Sequence, residues 1–257
     1  MLKTALAYLK FWRKSFHLHG IHSPFVFEFQ QRCVKDRVRY PEYTIMEQHR
    51  VALLSNLDNI EVTDLGAGSR VFRSDVRSVR AIARKAGINS RRQHLLFRIC
   101  RYFQVKNILE LGTSLGMGSL AIKLACPDAE LITVEGCPNT ALVAETEWIN
   151  SGISDIDLRR QSFDEFYDGL EEESFDLIYL DGDHSLRGTL EAFDRLKDHL
   201  HENSVMIIDD IYWSPDMTEA WETIRKHPRV RLSIDTFGWG MIFFMPEREK
   251  EHFYLKV

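Results

Sequence analysis

An alternation that begins at residue 107 constrains the fold most. From there, short apolar runs alternate with helical patterns. The runs are Asn107–Leu111, Glu130–Glu135, Ile156–Arg160, Phe175–Asp181, Ser204–Asp209, Val230–Phe237 and Met241–Met245. Strands separated by helices build βαβ units, and the crossover helix makes consecutive strands parallel. The last two runs are joined only by Gly238-Trp239-Gly240. That link leaves no room for a crossover helix, so the pair must be antiparallel. The expected class is therefore α/β: a doubly wound, mostly parallel, seven-stranded sheet ending in an antiparallel hairpin.

Composition agrees with a folded chain. Of 257 residues, 44% are hydrophobic and 28% charged, which excludes a disordered tail, a collagen repeat or a coiled-coil rod. The four cysteines (Cys33, Cys100, Cys126, Cys137) form no CxxC pair. A zinc ribbon and a disulfide scaffold are therefore not expected, and reduced thiols fit a cytoplasmic protein. No apolar run reaches the roughly 18–20 residues that a membrane span needs, so no transmembrane segment is expected. The first residues, MLKTALAYLKFWRKSF, are basic and amphipathic, with Leu2, Leu6 and Leu9 near helical spacing. They are expected to form a helix packed on the domain; lying on a membrane surface is the alternative.

Residues 1–89 are expected to be an N-terminal helical extension or lid, and residues 90–257 the main domain. Ser23-Pro24 reads as a helix start, with an N-cap serine and proline at the first helical position. His17, His19 and His22 precede it. A metal site there would lack any acid or cysteine, so the structural reading is preferred. Asp64-Leu65-Gly66-Ala67-Gly68-Ser69 imitates a nucleotide-binding loop, but a glycine loop alone is weak evidence. It is read as a turn before a basic helix. From Arg70 to Lys106 there are nine Arg and two Lys against one acid, Asp75, in a chain of net charge −5. Arg73, Arg77, Arg80 and Arg84 share one helix face, which is either solvated or anion-binding.

Four motifs carry chemistry, each at the end of an expected strand. In Glu110-Leu111-Gly112-Thr113-Ser114-Leu115-Gly116-Met117-Gly118, a glycine turn leads from strand to helix. Glycine lets the backbone approach a ligand closely, and a helix N-terminus offers free amides. The spacing differs from the dinucleotide fingerprint. Glu135 ends the next strand, where an acid can accept hydrogen bonds from both hydroxyls of a ribose. Asp181-Gly182-Asp183-His184 follows the fourth run, and Asp209-Asp210 the fifth. Ligands bind outside the carboxyl ends of strands in such sheets. Asp181, Asp209 and Asp210 there suit a hard cation such as Mg²⁺, although N-capping would explain one acid per loop.

Over roughly residues 90–246 the sequence resembles the class I S-adenosylmethionine-dependent methyltransferases, which have a Rossmann-like fold with a terminal antiparallel strand. ELGTSLGMG is similar to their first motif and Glu135 to their ribose-binding acid. YLDGDHS followed by IIDD is similar to the small-molecule O-methyltransferases with a DGDH-type motif. The resemblance implies S-adenosylmethionine as cofactor. It implies Glu110, Gly112, Ser114 and Gly116 around its methionine part, Glu135 on the ribose, and Ser162 and Phe163 near the adenine. Asp181 would adjoin the cofactor and, with Asp209 and Asp210, hold Mg²⁺ or another divalent cation.

The expected reaction is methylation of a small-molecule hydroxyl. His184 would take the acceptor's proton, because a histidine pKa near 6.5 suits a base at neutral pH, and Asp181 would assist. His184 serves equally well in this reading as a residue that only orients its loop. Tyr212, Trp213 and Trp239 are expected to wall the acceptor. Two alternatives differ in class. One is a nucleic-acid methyltransferase using the Arg73–Arg84 face, against which stands the lack of an N/D-P-P-[YF] motif. The other is a non-catalytic cofactor-binding subunit. The sequence carries no signal of oligomeric state.

Overall fold

The computed structural model describes residues 2–15, 22–63 and 74–257. His17, His19, the Asp64–Ser69 turn and Arg73 lie outside the described residues. In chain order the elements begin with α1 (Leu2–Lys14), α2 (Pro24–Phe29, continued by a π-helical turn, Gln30–Val34) and α3 (Glu42–Ser55). Next come β1 (Asn59–Glu61), β2 (Val76–Ser78), α4 (Val79–Lys85), α5 (Ser90–Phe103), β3 (Asn107–Leu111) and α6 (Met117–Ala125). They continue as β4 (Glu130–Val134), α7 (Pro138–Asn150), β5 (Asp157–Arg159), α8 (Phe163–Asp168), β6 (Phe175–Leu180) and α9 (Leu186–Leu196). The last are β7 (Leu200–Asp209), α10 (Pro215–Ile224), β8 (Leu232–Asp235), β9 (Trp239–Phe243) and β10 (Glu251–Tyr254).

The chain divides into two compact units, Arg37–Glu171 and the combination of Met1–Asp36 with Glu172–Val257. In the first unit β3, β4 and β5 are parallel neighbours, with Glu110 opposite Thr133 and Leu111 opposite Val134. β1 and β2 form a separate antiparallel pair. Ile108, Leu109, Leu111, Leu131 and Val134 are buried. Near-continuous apolar strands of this kind belong to sheets covered on both faces. Asn89 caps α5 by accepting a hydrogen bond from the Arg92 amide (3.0 Å), which explains why the helical pattern breaks before Ser90.

In the second unit the strand order is β10-β8-β9-β7-β6. β6 and β7 are parallel, whereas β9 is antiparallel to both β7 and β8. The glycine-flanked link therefore makes the antiparallel hairpin that its length demands, and the α/β, mostly parallel class holds. β10, parallel to β8, is an eighth strand beyond the seven apolar runs. Its sequence, EHFY, is short and half polar, so it carries no apolar periodicity. α2 starts at Pro24 as expected, but the Ser23 hydroxyl does not cap it; it instead accepts a hydrogen bond from Arg248 Nη1 (3.4 Å).

Candidate functional site

In the Arg37–Glu171 unit, β3 ends in a turn whose backbone is left-handed at Gly112 (φ 102°), Ser114 (φ 49°) and Gly116 (φ 74°). The Gly112 and Thr113 amides donate to the Val134 carbonyl (3.0 and 3.3 Å), which ties the turn to the end of β4. Gly116 then starts α6, and no side chain caps that helix. The Gly116 carbonyl accepts two hydrogen bonds, from the Leu120 amide (3.0 Å) and from the Trp148 indole N–H of α7 (2.8 Å). Trp148 is buried. Nothing in the sequence signals this contact, because it depends on how α7 packs.

Glu135 faces the same turn. Its Oε2 accepts from the Ser114 amide (2.7 Å) and its Oε1 from the Cys137 amide (2.9 Å). A carboxylate is an acceptor-only group with about four lone-pair sites. That is the chemistry needed to hold a vicinal diol. Glu110 sits differently. It is 1% exposed, and its Oε2 is bonded by Ser119 Oγ and by Thr133 Oγ1 (2.7 Å), with Thr133 bonded to Thr113 (2.7 Å). Burial pushes its carboxyl up to about 7, against the pull of these hydroxyls and with a smaller push from Glu135. Glu110 thus braces the turn from beneath.

A raised carboxyl pKa means that the folded state holds the proton more tightly than the unfolded chain. Its contribution is fully present below the unfolded value of 4.5 and is lost as pH rises through about 7, an effect of roughly 3 kcal/mol. Glu110→Gln is therefore expected to lose less stability than the wild type between pH 5 and 8 in paired denaturant titrations. Identical pH slopes would contradict the buried-acid assignment.

Ser162 is the N-cap of α8 in a capping box. Its amide and its hydroxyl both donate to Glu165 Oε2 (2.8 Å each), so helix initiation already uses them. Phe163 follows, half-buried.

In the other unit, Asp181 directly follows β6 and Asp209 ends β7. The buried Tyr179 hydroxyl lies 3.0 Å from Asp181 Oδ2 and 3.1 Å from Asp209 Oδ2. One hydroxyl proton serves one acceptor at a time, so a proton held on the pair satisfies the second contact. Burial, then the charges of Asp209 and Asp210, hold the Asp181 carboxyl well above the usual carboxylate range. Tyr179 was not foreseen, although it lies two residues before Asp181 and so on the same face of its strand. His184 Nε2 is 3.8 Å from Asp181 Oδ1. Asp183 and Asp210 are left-handed (φ 42° and 53°), a conformation short polar residues tolerate. The Asp210 amide donates to the Gly238 carbonyl (2.8 Å), which fixes the Asp209-Asp210 loop to the Thr236–Gly238 turn.

Carboxylates have the right chemistry for a hard cation, but this arrangement does not fit one. Asp181 and Asp209 point at Tyr179, and Asp209 Oδ1 is bonded to the Asp210 amide (2.6 Å). Among the described residues, no three His, Cys, Asp or Glu side chains are disposed to hold a metal ion. Nor is Trp239 an acceptor wall. It is buried and packs edge-on against Tyr179 (5.9 Å). Tyr212 donates to Asp235 (2.6 Å) and stacks on Phe237 (4.9 Å), while Trp213 is exposed. The expected single helix face for Arg73–Arg84 does not form: Arg77 lies in β2 and only Arg80 and Arg84 in α4, with Arg77 Nε donating to the Ser74 carbonyl and Arg80 Nε to the Leu54 carbonyl.

Residues 109–211 match the family model of a methyltransferase domain. A search of curated protein sequences finds no match. Among solved structures the chain is similar to an SAH-bound methyltransferase, PaMTH1, of Podospora anserina. The two share 17% identity, with 87% of this chain and 97% of that chain covered at a TM-score of 0.62. It is also similar to a putative O-methyltransferase of Klebsiella pneumoniae (17% identity, 84% and 99% covered, TM-score 0.57). A third is an O-methyltransferase of Bacillus cereus in complex with SAH (16% identity, 83% and 97% covered, TM-score 0.56). Residues 109–211 thus carry the sequence features of a methyltransferase domain, and the chain shares the α/β fold of these solved structures.

Proposed function

We propose that the enzyme methylates a hydroxyl of a small-molecule acceptor. The observation that carries the cofactor half is Glu135, pinned by the Ser114 and Cys137 amides at the glycine turn. S-adenosylmethionine, when bound, supplies a methyl already activated on a sulfonium, which passes to the acceptor oxygen while the C–S electron pair stays on sulfur. Glu135 would hold the ribose hydroxyls. The left-handed Gly112–Gly116 turn, braced by Glu110, would give the methionine part a close backbone surface, and Phe163 would offer a ring face to the adenine. Ser162 enters this reading only through the helix it caps.

The acceptor's hydroxyl proton must leave as the new O–C bond forms. We assign it to His184, with Asp181 as the neighbour whose pair with Asp209 shares a negative charge able to stabilise the imidazolium. No step is assigned to a divalent cation. The O-methyltransferases named above for Klebsiella and Bacillus cereus favour oxygen as the methylated atom.

A screen of hydroxylated acceptors with methyl-labelled S-adenosylmethionine tests the reading. His184→Gln and Asp181→Asn are expected to lower kcat about 10²–10⁴-fold while leaving the affinity for S-adenosylhomocysteine within a few-fold. Unchanged kcat in His184→Gln would remove histidine from the reaction. Transfer to nitrogen acceptors alone would overturn the hydroxyl assignment.

A further inference from the structure

Helix α1 presents two different faces. Phe11 is buried; it packs on Phe237 (5.6 Å) and Tyr254 (6.0 Å), and Tyr8 meets Phe237 edge-on (5.0 Å). These contacts hold the helix to its own unit. Leu9 and Trp12, one turn apart, stay 57% and 53% exposed, and Tyr8 is 48% exposed. An isolated exposed apolar residue is ordinary, but a helix face carrying a leucine, a tryptophan and a tyrosine in water is not.

The charge around that face is one-sided. The chain has net charge −5, yet its first 27 residues contain Lys3, Lys10, Arg13 and Lys14 and no acid. Lys10, Arg13 and Lys14 are exposed. A fifth cation comes from the far end of the chain, where Lys256 Nζ lies 4.2 Å from the centre of the Trp12 ring. Lys14 Nζ sits 5.3 Å from the Tyr254 ring. Their aliphatic stems can lie along apolar surface while their ammonium groups reach outward. Tryptophan and tyrosine bordered by lysine and arginine are the residues that settle at the water–headgroup boundary of a bilayer.

We propose that α1 is an interfacial anchor that docks this enzyme on an anionic phospholipid surface, with Leu9 and Trp12 inserted and Lys10, Arg13, Lys14 and Lys256 on the headgroups. A neutral apolar partner would leave these cations uncompensated, and a second copy would face them with the same positive charge. The lipid charge is thus the element that completes the face. No helix among the described residues is long and apolar enough to cross a membrane, so the anchor lies along the surface.

The test is co-sedimentation of the full chain with phosphatidylcholine vesicles, with and without phosphatidylglycerol, at low and high salt. The expected result is binding that requires the anionic lipid and weakens with salt, accompanied by a blue shift of tryptophan emission. Trp12→Ser should abolish most of that shift. Lys10→Glu with Arg13→Glu should reduce partitioning at least tenfold. All variants should bind S-adenosylhomocysteine like the wild type, which shows that they are folded. Three results would overturn the proposal: no binding to anionic vesicles, equal binding to neutral ones, or a dimer in solution that Trp12→Ser dissociates in place of any lipid binding.

Discussion

Gly116→Ala is expected to destabilise the protein by about 2–5 kcal/mol and to remove most of its affinity for the cofactor. Two independent costs add. The backbone at Gly116 is left-handed (φ 74°), which costs a residue with a Cβ about 1–2 kcal/mol. The new methyl would also lie 2.3 Å from Trp148 Nε1 and 2.5 Å from Cε2. Indole is rigid and Trp148 is buried, so the overlap must be relieved by moving α7 or the turn, typically another 1–3 kcal/mol. Trp148 also loses its place on the Gly116 carbonyl, and the start of α6 shifts. Thermal unfolding with and without S-adenosylhomocysteine checks this. The double variant Gly116→Ala with Trp148→Ala should be less destabilised than the two single effects summed, by about 1–3 kcal/mol. Simple additivity would show that the indole does not set the turn.

This interaction also marks where the sequence stops being informative. Strands β3, β6, β8 and β9 were legible because they are buried on both faces and therefore read as short apolar runs; Asn107–Leu111 has the same limits in sequence and structure. The antiparallel hairpin was legible because Gly238-Trp239-Gly240 is too short for any other connection. Glu135 could be singled out because it ends a strand at a suggestive distance from a glycine turn. By contrast, Trp148 lies in the middle of a helix with no motif about it, and its role comes from tertiary packing alone. Glu110 stands in the motif itself, yet only the structure shows that it points inward to Ser119 and Thr133, because strand alternation does not say which face meets the ligand. The three aspartates were grouped in the sequence only by their place at strand ends. Their geometry depends on Tyr179, which turns two of them towards a shared hydroxyl. β10 was missed because an edge strand of four half-polar residues leaves no period to detect.

The largest expected effect on binding belongs to Glu135. Its carboxylate would accept both ribose hydroxyls, and hydrogen bonds to a charged group contribute about 1.5–3 kcal/mol each. Losing two of them predicts at least a 100-fold weaker cofactor at 1.4 kcal/mol per tenfold. Removal would also release the Ser114 and Cys137 amides that Glu135 now holds, so the loosened turn adds to the loss. Glu135→Gln keeps one acceptor oxygen and should fall between the wild type and Glu135→Ala.

Calorimetric titration of S-adenosylhomocysteine into the wild type and Glu135→Ala tests the account most directly, since every step proposed for this enzyme depends on that ligand lying at the turn. The account predicts saturable binding to the wild type and affinity lowered at least 100-fold in Glu135→Ala, with the variant still folded by circular dichroism. Equal affinity in both proteins, or no binding to the wild type, would contradict it.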